Sequence, residues 1–331
     1  MTLGFVCGCA GLELTDDEKR FIADTQPWGL ILFRRNVDTP EQVSRLTASF
    51  RSVVGRFEAP VLMDQEGGRV QRLRPPLWPD YPAASRYEGC GSESDAQAAK
   101  LGARLIAHEL RNVGVTVDCA PVLDVPVPGS HNVIGDRAFA ADPLTVARLG
   151  RAFAEGLLLG GVLPVMKHVP GHGRAGVDSH LSLPVVEADR DELDQHDFEP
   201  FRQLADLPIA MTAHVVYTAL DPDRPATTSA RVIDQIIRGV IGFDGLLLSD
   251  DLSMEALKGS LGERAEQARL AGCDILLHCN GKLDEARAVA AAARPIEGMV
   301  ERRVAAAVAR LRQPEPIDHP HEQVRLAAMV A

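Results

Sequence analysis

The sequence contains no C-x-x-C pair. Its six cysteines, Cys7, Cys9, Cys90, Cys119, Cys273 and Cys279, are scattered over 331 residues. That spacing supports neither a disulfide framework nor a zinc ribbon or thioredoxin-like site. Basic residues are in deficit: 35 Lys and Arg stand against 46 Asp and Glu, a formal net charge of −11. Such a field repels a duplex or an anionic membrane on average, so neither nucleic acid nor membrane is expected as a main partner. The 28 Gly and 22 Pro show no period, which excludes a collagen-like repeat. The opening stretch MTLGFVCGCAGLELTDDEKR lacks a basic n-region and a long apolar h-region. No signal peptide or membrane span is expected, and a cytoplasmic, reducing location is. What remains is an ordinary globular balance, 46% hydrophobic and 24% charged, enough for a large core.

Eight short β-type runs recur along the chain, at residues 3–9, 29–33, 60–64, 115–123, 162–167, 208–212, 246–249 and 274–278. Most are continuously apolar rather than alternating, as in parallel strands buried on both faces. Helical stretches separate them, at 15–24, 39–54, 94–113, 143–159, 190–205, 230–241, 261–271 and 284–293. Thr39 reads as an N-cap followed by Pro40 and Glu41, a helix start with the right chemistry. Strict β-α alternation repeated eight times predicts an α/β fold, a (β/α)8 TIM-type barrel. A doubly wound open sheet is the alternative, weakened because no strand leads into G-x-G-x-x-G. No linker divides the chain. One domain over 1–331 is expected, with a C-terminal tail from about residue 313 that ends in a short helix-like run.

In such a barrel the active site lies at the carboxyl ends of the strands. Those ends are rich in ionisable groups: Asp64, Glu66, Arg69 and Arg72 after the third run, and Asp124 after the fourth. Lys167, His168, His172, Asp178 and His180 follow the fifth, His214 the sixth, and Asp250 and Asp251 the seventh. Packing alone does not explain so many charges at one rim. Lys167-His168 should point into the mouth. His168 and His172 are four apart, but Pro170, Gly171 and Gly173 exclude the helix on which two such histidines hold zinc. In the D-x-H pair, Asp178 could fix the tautomer of His180 and leave a proton-transfer group. Adjacent Asp250 and Asp251 point to opposite sides of an extended backbone. One should face the barrel axis, and the other should cap a helix or hold a loop. Arg137 could clamp a substrate or brace its loop. Cys7 and Cys9 share one side of the first strand and are read as barrel filling. His108 is read as a packing or surface residue of its helix.

Taken together, MDQEGGRVQRL, VIGDRAFAADP, KHVPGHGRAGVDSH, MTAHVVY and LLLSDDLSM occur in the order seen in glycoside hydrolase family 3. More narrowly, the chain resembles the single-domain bacterial β-N-acetylhexosaminidases of peptidoglycan recycling. The resemblance covers most of the chain, and the KH-x-PGHG-x4-DSH block is its most specific part. Val169 stands where Phe is commoner, the RAGV stretch is individual, and GFVCGCAG departs from the usual acidic ending of the first strand.

The resemblance implies roles. Asp250 matches the nucleophile, His180 the general acid/base, and Asp178 the residue that orients it. Asp64, Arg72, Arg137, Lys167, His168 and His214 match substrate-binding positions. The implied reaction is retaining exo-hydrolysis of terminal β-linked N-acetylglucosamine from muropeptide fragments, through a covalent glycosyl-aspartate. The expected partner is that small-molecule substrate, with no cofactor, no metal and a monomeric enzyme. Neighbouring-group attack by the 2-acetamido group is a mechanistic alternative. A zinc-dependent amidohydrolase-like barrel using His168, His172, His180, His214 and Asp250 is a second reading, and a non-catalytic sugar-binding barrel a third.

Overall fold

The computed structural model describes residues 1–331 except Cys90, Asp178, His180 and Leu181. Eight parallel strands close into a barrel: β1 (Leu3–Gly8), β2 (Pro27–Leu32), β3 (Val61–Met63), β4 (Val117–Asp118), β5 (Leu163–Val169), β6 (Ile209–Thr212), β7 (Leu246–Asp251) and β8 (Ile275–His278). Each strand pairs with its neighbours in sequence, and β8 returns to β1 through Phe5–Leu276 and Cys7–His278. The expected (β/α)8 barrel is therefore what forms. Each predicted strand run overlaps one of these strands, though β2 begins two residues earlier and β5 and β7 run two residues further than expected. The fourth is the most shortened: only Val117–Asp118 remains in the ladder, with an isolated bridge from Val122 to Lys167.

Local chemistry places the helices. Thr15 and Glu18 form a reciprocal capping box at the helix Asp16–Thr25. The Thr39 side chain accepts from the Gln42 amide, with Pro40 at the first turn of Pro40–Val54. The stretch expected as one helix over 190–205 is broken into Arg190–Glu192, a wide turn over Leu193–Asp197, and Glu199–Gln203. Pro200 has no N–H to continue the ladder, and Phe198 N–H reaches back five residues to Leu193 O. The expected helix at 230–241 is likewise wound wide, over Val232–Val240.

The barrel interior is a separate apolar cluster fed by every strand: Val6, Ile31, Leu62, Val117, Leu163, Val165, Ile209, Met211, Leu246, Leu248, Ile275 and Leu277. The helix Gly298–Val308 closes the amino-terminal end, where Ala307, Val300 and Val304 join that cluster. A larger cluster fills the layer between barrel and helices. Cys7 and Cys9 belong to this outer layer, which corrects their reading as barrel filling. The inward positions of β1 are Gly4, Val6 and Gly8; a Cβ on Gly8 would meet Cys279 O at 2.4 Å. Gly8 therefore has no room for a side chain beside Cys279, while Val6 fills the interior and Cys7 and Cys9 face the outer layer. With the amino-terminal end plugged, the open mouth lies at the carboxyl ends of the strands.

Candidate active site

The mouth holds a cavity of ≈ 310 Å³, at the lower end of the range for small-molecule sites, ~300–1,000 Å³. Its walls include Phe33, Asp64, Glu66, Arg72, Arg137, Lys167, His168, His172, Ser179, Asp250 and Asp251. Strand parity delivers several of these directly. Leu62 points inward on β3, so Asp64 and Glu66 follow at the rim. Leu163 and Val165 point inward on β5, and Lys167 continues the series. Leu246 and Leu248 do the same for Asp250 on β7.

Five charges alternate in sign along one wall. Arg137 donates to both Glu66 oxygens at 2.8 Å. Lys167 Nζ lies 2.6 Å from Glu66 Oε1 and donates to Asp64 Oδ1 at 2.9 Å. Arg72 Nη2 donates to Asp64 Oδ2 at 2.9 Å and its guanidinium lies 5.1 Å from the Phe33 ring centre. Burial by itself would raise both carboxyl pKa values. The facing cations override it: Arg137 and Lys167 hold Glu66 down to about 2, and Lys167 with Arg72 holds Asp64 lower still. Reciprocally, burial disfavours the Lys167 ammonium, but Asp64 and Glu66 raise its pKa above the ordinary lysine range. Asp64, Glu66, Lys167 and Arg137 are therefore ionised at neutral pH.

The loop after β3 is shaped to present these groups. Gly67 and Gly68 have φ of +94° and +55°, and a Cβ on Gly67 would sit 2.1 Å from Pro82 O. Only glycine lets the chain fold back this tightly. Gln65 stitches the loop by accepting from the amides of Arg72 and Leu73, and Asp118 accepts from the Gln65 amide. Arg69 staples this loop to the one after β4, donating to Asp136 Oδ1 at 2.7 Å and to the carbonyls of Asn132, Val133 and Ile134.

Asp124 organises the β5 end. Its Oδ2 lies 2.7 Å from His168 Nδ1, and its Oδ1 accepts from the amides of His168 and His172. Burial opposes its charge, but His168 and the hydrogen bonds bring its pKa down to about 2. The peptide joining Lys167 and His168 is cis. His172 Nε2 lies 3.1 Å from Ser179 Oγ, and burial pushes the His172 pKa down to about 4, so this ring is neutral. Gly173 passes so close to Val125 that a Cβ would lie 1.9 Å from its carbonyl oxygen.

At β7 the two adjacent acids differ. The Asp250 amide donates to Thr212 Oγ1, and its Oδ1 accepts from the Asp251 amide at 2.7 Å. Asp251 spends its carboxylate on the loop, accepting from Ser253 N, Ser253 Oγ and Cys279 N.

The structure thus brings Asp64, Arg72, Arg137, Lys167, His168 and Asp250 to one cavity. It does not bring His214 there. His214 is fully buried behind the wall. Its Nδ1 lies 2.7 Å from Thr227 Oγ1, and its Nε2 donates to Asp251 O. Inward Ile209 and Met211 put Thr212 and His214 on the opposite parity, and both meet Thr227. Asp178 and His180 lie outside the described residues. Glu66 and Asp124 carry more of the geometry than the motif reading assigned to them; their signal was a carboxylate at a strand end beside predicted cations. Among the described residues no cluster of three or more His, Cys, Asp or Glu side chains is arranged to hold a metal ion.

Over residues 5–313 the chain matches the model of the glycosyl hydrolase family 3 N terminal domain. It is 39% identical over 306 residues to a β-hexosaminidase of Methylobacillus flagellatus, covering 86% of this chain and 83% of that protein. It is 43% identical over 274 residues to a β-hexosaminidase of Methylococcus capsulatus, covering 82% and 80%. Among solved structures it resembles NagZ from Neisseria gonorrhoeae in complex with N-trifluoroacetyl-D-glucosamine, with a TM-score of 0.87, 34% identity and coverage of 99% and 98%. The chain belongs to glycosyl hydrolase family 3 and is a glycosidase of the β-hexosaminidase class.

Proposed function

We propose that this enzyme is a retaining exo-β-N-acetylglucosaminidase that removes terminal N-acetylglucosamine from muropeptide fragments, with or without their peptide. The observation that carries the reading is the placement of Asp250 in the same small cavity as the alternating Arg72–Asp64–Lys167–Glu66–Arg137 wall. A wall of fixed donors and acceptors suits a ring bearing several hydroxyls. The limited volume suits one terminal sugar with its aglycone directed outward.

In this reading Asp64, Arg72, Lys167, His168 and Arg137 hold the sugar. Asp250 attacks the anomeric carbon as the glycosidic C–O bond breaks, and His180 gives its proton to the departing oxygen. Water then attacks the glycosyl-aspartate, His180 takes the water's proton, and the Asp250 carboxylate is released. A histidine serves because its unperturbed pKa, about 6.5, is already near neutral pH. Asp178 and His180 enter from the family resemblance alone. His214 enters as a brace for Asp251 rather than as a sugar ligand. The enzyme acts as a cytoplasmic monomer without a cofactor, its substrate a small amino-sugar fragment. No described helix is long and apolar enough to cross a membrane.

The test compares 4-nitrophenyl N-acetyl-β-D-glucosaminide with the β-D-glucoside, then N-acetylglucosaminyl-anhydro-N-acetylmuramic acid by chromatography. Fast release from the first and third substrates, unaffected by EDTA, is expected. No release of N-acetylglucosamine from the disaccharide by an enzyme active on the chromogenic substrate would refute the muropeptide assignment. A 5-fluoro sugar followed by peptide mass spectrometry separates the two nucleophiles: a label on Asp250 supports the covalent route, and none supports attack by the acetamido group.

A further inference from the structure

The family match stops at residue 313, but the ordered chain continues. Residues 314–331 run along the barrel's flank and end in the helix His319–Met329, which packs on Ser92–Asn112. Its attachment is specific. Leu326 is buried in the outer core, flanked by Ile317, Met329 and Val330. His319 Nε2 lies 2.9 Å from Glu109 Oε1, and the His319 ring stacks on His108 at 4.5 Å. Arg104 donates to Pro316 O at 2.6 Å, and Arg86 donates to Val330 O at 2.9 Å.

One of these contacts leads to the cavity. Buried Tyr81 places its hydroxyl 3.4 Å from His319 Nε2. Tyr81 is the far side of the loop after β3: its carbonyl accepts from Gly68 N at 2.8 Å, and its amide donates to Gln71 Oε1 at 3.0 Å. Glu66 and Arg72 flank those two residues. The loop has little regular structure of its own between Met63 and Ala84. Its shape depends on such cross-bonds, and short irregular loops hold functional groups only as firmly as their supports allow.

We propose that the C-terminal helix is a positioning element of the substrate cavity, acting through the His319–Tyr81 contact on the β3 loop that carries Asp64, Glu66 and Arg72. Tyr81 and His319 are positioning residues; neither lines the cavity. Because the loop supplies sugar-holding groups while Asp250 stands on β7, undocking the helix raises KM and leaves kcat within about twofold.

The experiment uses the full chain with Tyr81→Phe and His319→Ala, and a chain shortened after Gln313. Hydrogen exchange across residues 64–82 is followed by mass spectrometry, alongside steady-state turnover of the chromogenic N-acetylglucosaminide. Faster exchange in this segment, by tenfold or more, and a three- to tenfold rise in KM are expected in all three. A synthetic 314–331 peptide should restore the KM of the shortened chain. If the shortened chain does not fold, the two full-length variants decide. Wild-type exchange in 64–82 in both point variants, or slowed turnover entirely in kcat, overturns the proposal. The exchange arm needs no substrate, so it reads the bracing even if the assigned substrate is wrong.

Discussion

Arg137 faces Glu66 through two parallel N–H···O contacts of 2.8 Å, and the same carboxylate sits 2.6 Å from Lys167 Nζ. Glu66 is thus the shared counter-ion of two cations from different strand ends. Geometry of this kind is lost with either partner, because a buried charge left alone costs far more than an intact pair contributes. Glu66→Gln should lower kcat/KM about 100-fold, as expected when substrate-holding groups shift by about 1 Å. It should also destabilise the fold by about 3–5 kcal/mol. Steady-state kinetics beside thermal melts check both, and unchanged kinetics would remove Glu66 from the site.

Asp250→Ala should reduce kcat by at least about 10³-fold, since the covalent route loses its nucleophile. Added azide should restore turnover by attacking from the vacated side and give the α-glycosyl azide. A β-glycosyl azide, or full activity without azide, contradicts the role proposed for Asp250.

Stability should fall in two acid limbs. His172 is held neutral at a pKa of about 4, against 6.5 in the unfolded chain. Its contribution is complete above pH 6.5 and is lost as pH falls toward 4. Glu66 and Asp124 are held at about 2, from 4.5 and 3.8. Theirs is complete above about pH 4.5 and is lost as pH falls toward 2. Melting temperature against pH should therefore slope gently below 6.5 and steeply below 4.5. His172→Gln should shrink the first limb, to which the buried His214 and His278, also held below the ordinary histidine range by desolvation, contribute, and should keep the second.

His214→Ala should act through Asp251, whose carbonyl it holds at 2.9 Å. A loss in kcat of about tenfold is expected, with KM for the N-acetylglucosaminide changed less than twofold. Were His214 a sugar ligand, KM would rise first.

Much of the site is legible because side chains alternate along a strand. Leu62 then Asp64, Val165 then Lys167, and Leu248 then Asp250 each continue an inward series to the rim. The same rule also carries the signal against His214, which shares the parity of Thr212. A histidine at a strand end looks functional only in isolation; parity turns this one behind the wall. Cys7 and Cys9 do share one side of β1, but it is the outer one, since alternation states which residues share a face and not which face turns inward.

Strand and helix order, the capped starts at Thr15 and Thr39, and the acid- and cation-rich strand ends all follow from local chemistry, so the sequence by itself determines a (β/α)8 barrel with a polar mouth. What tertiary structure alone decides is which charges meet. Glu66 and Lys167 are 101 residues apart (167 − 66) and touch only because the closed barrel brings the ends of β3 and β5 to one cavity. The outward placement of Cys7 and Cys9 appears only in the closed barrel, where Gly8 lies against Cys279, and Tyr81 finds His319 across 238 residues. Local propensity acts within a few residues, whereas the ion pairs and packing that shape the site depend on chain closure. No residue pattern short of the folded barrel encodes them.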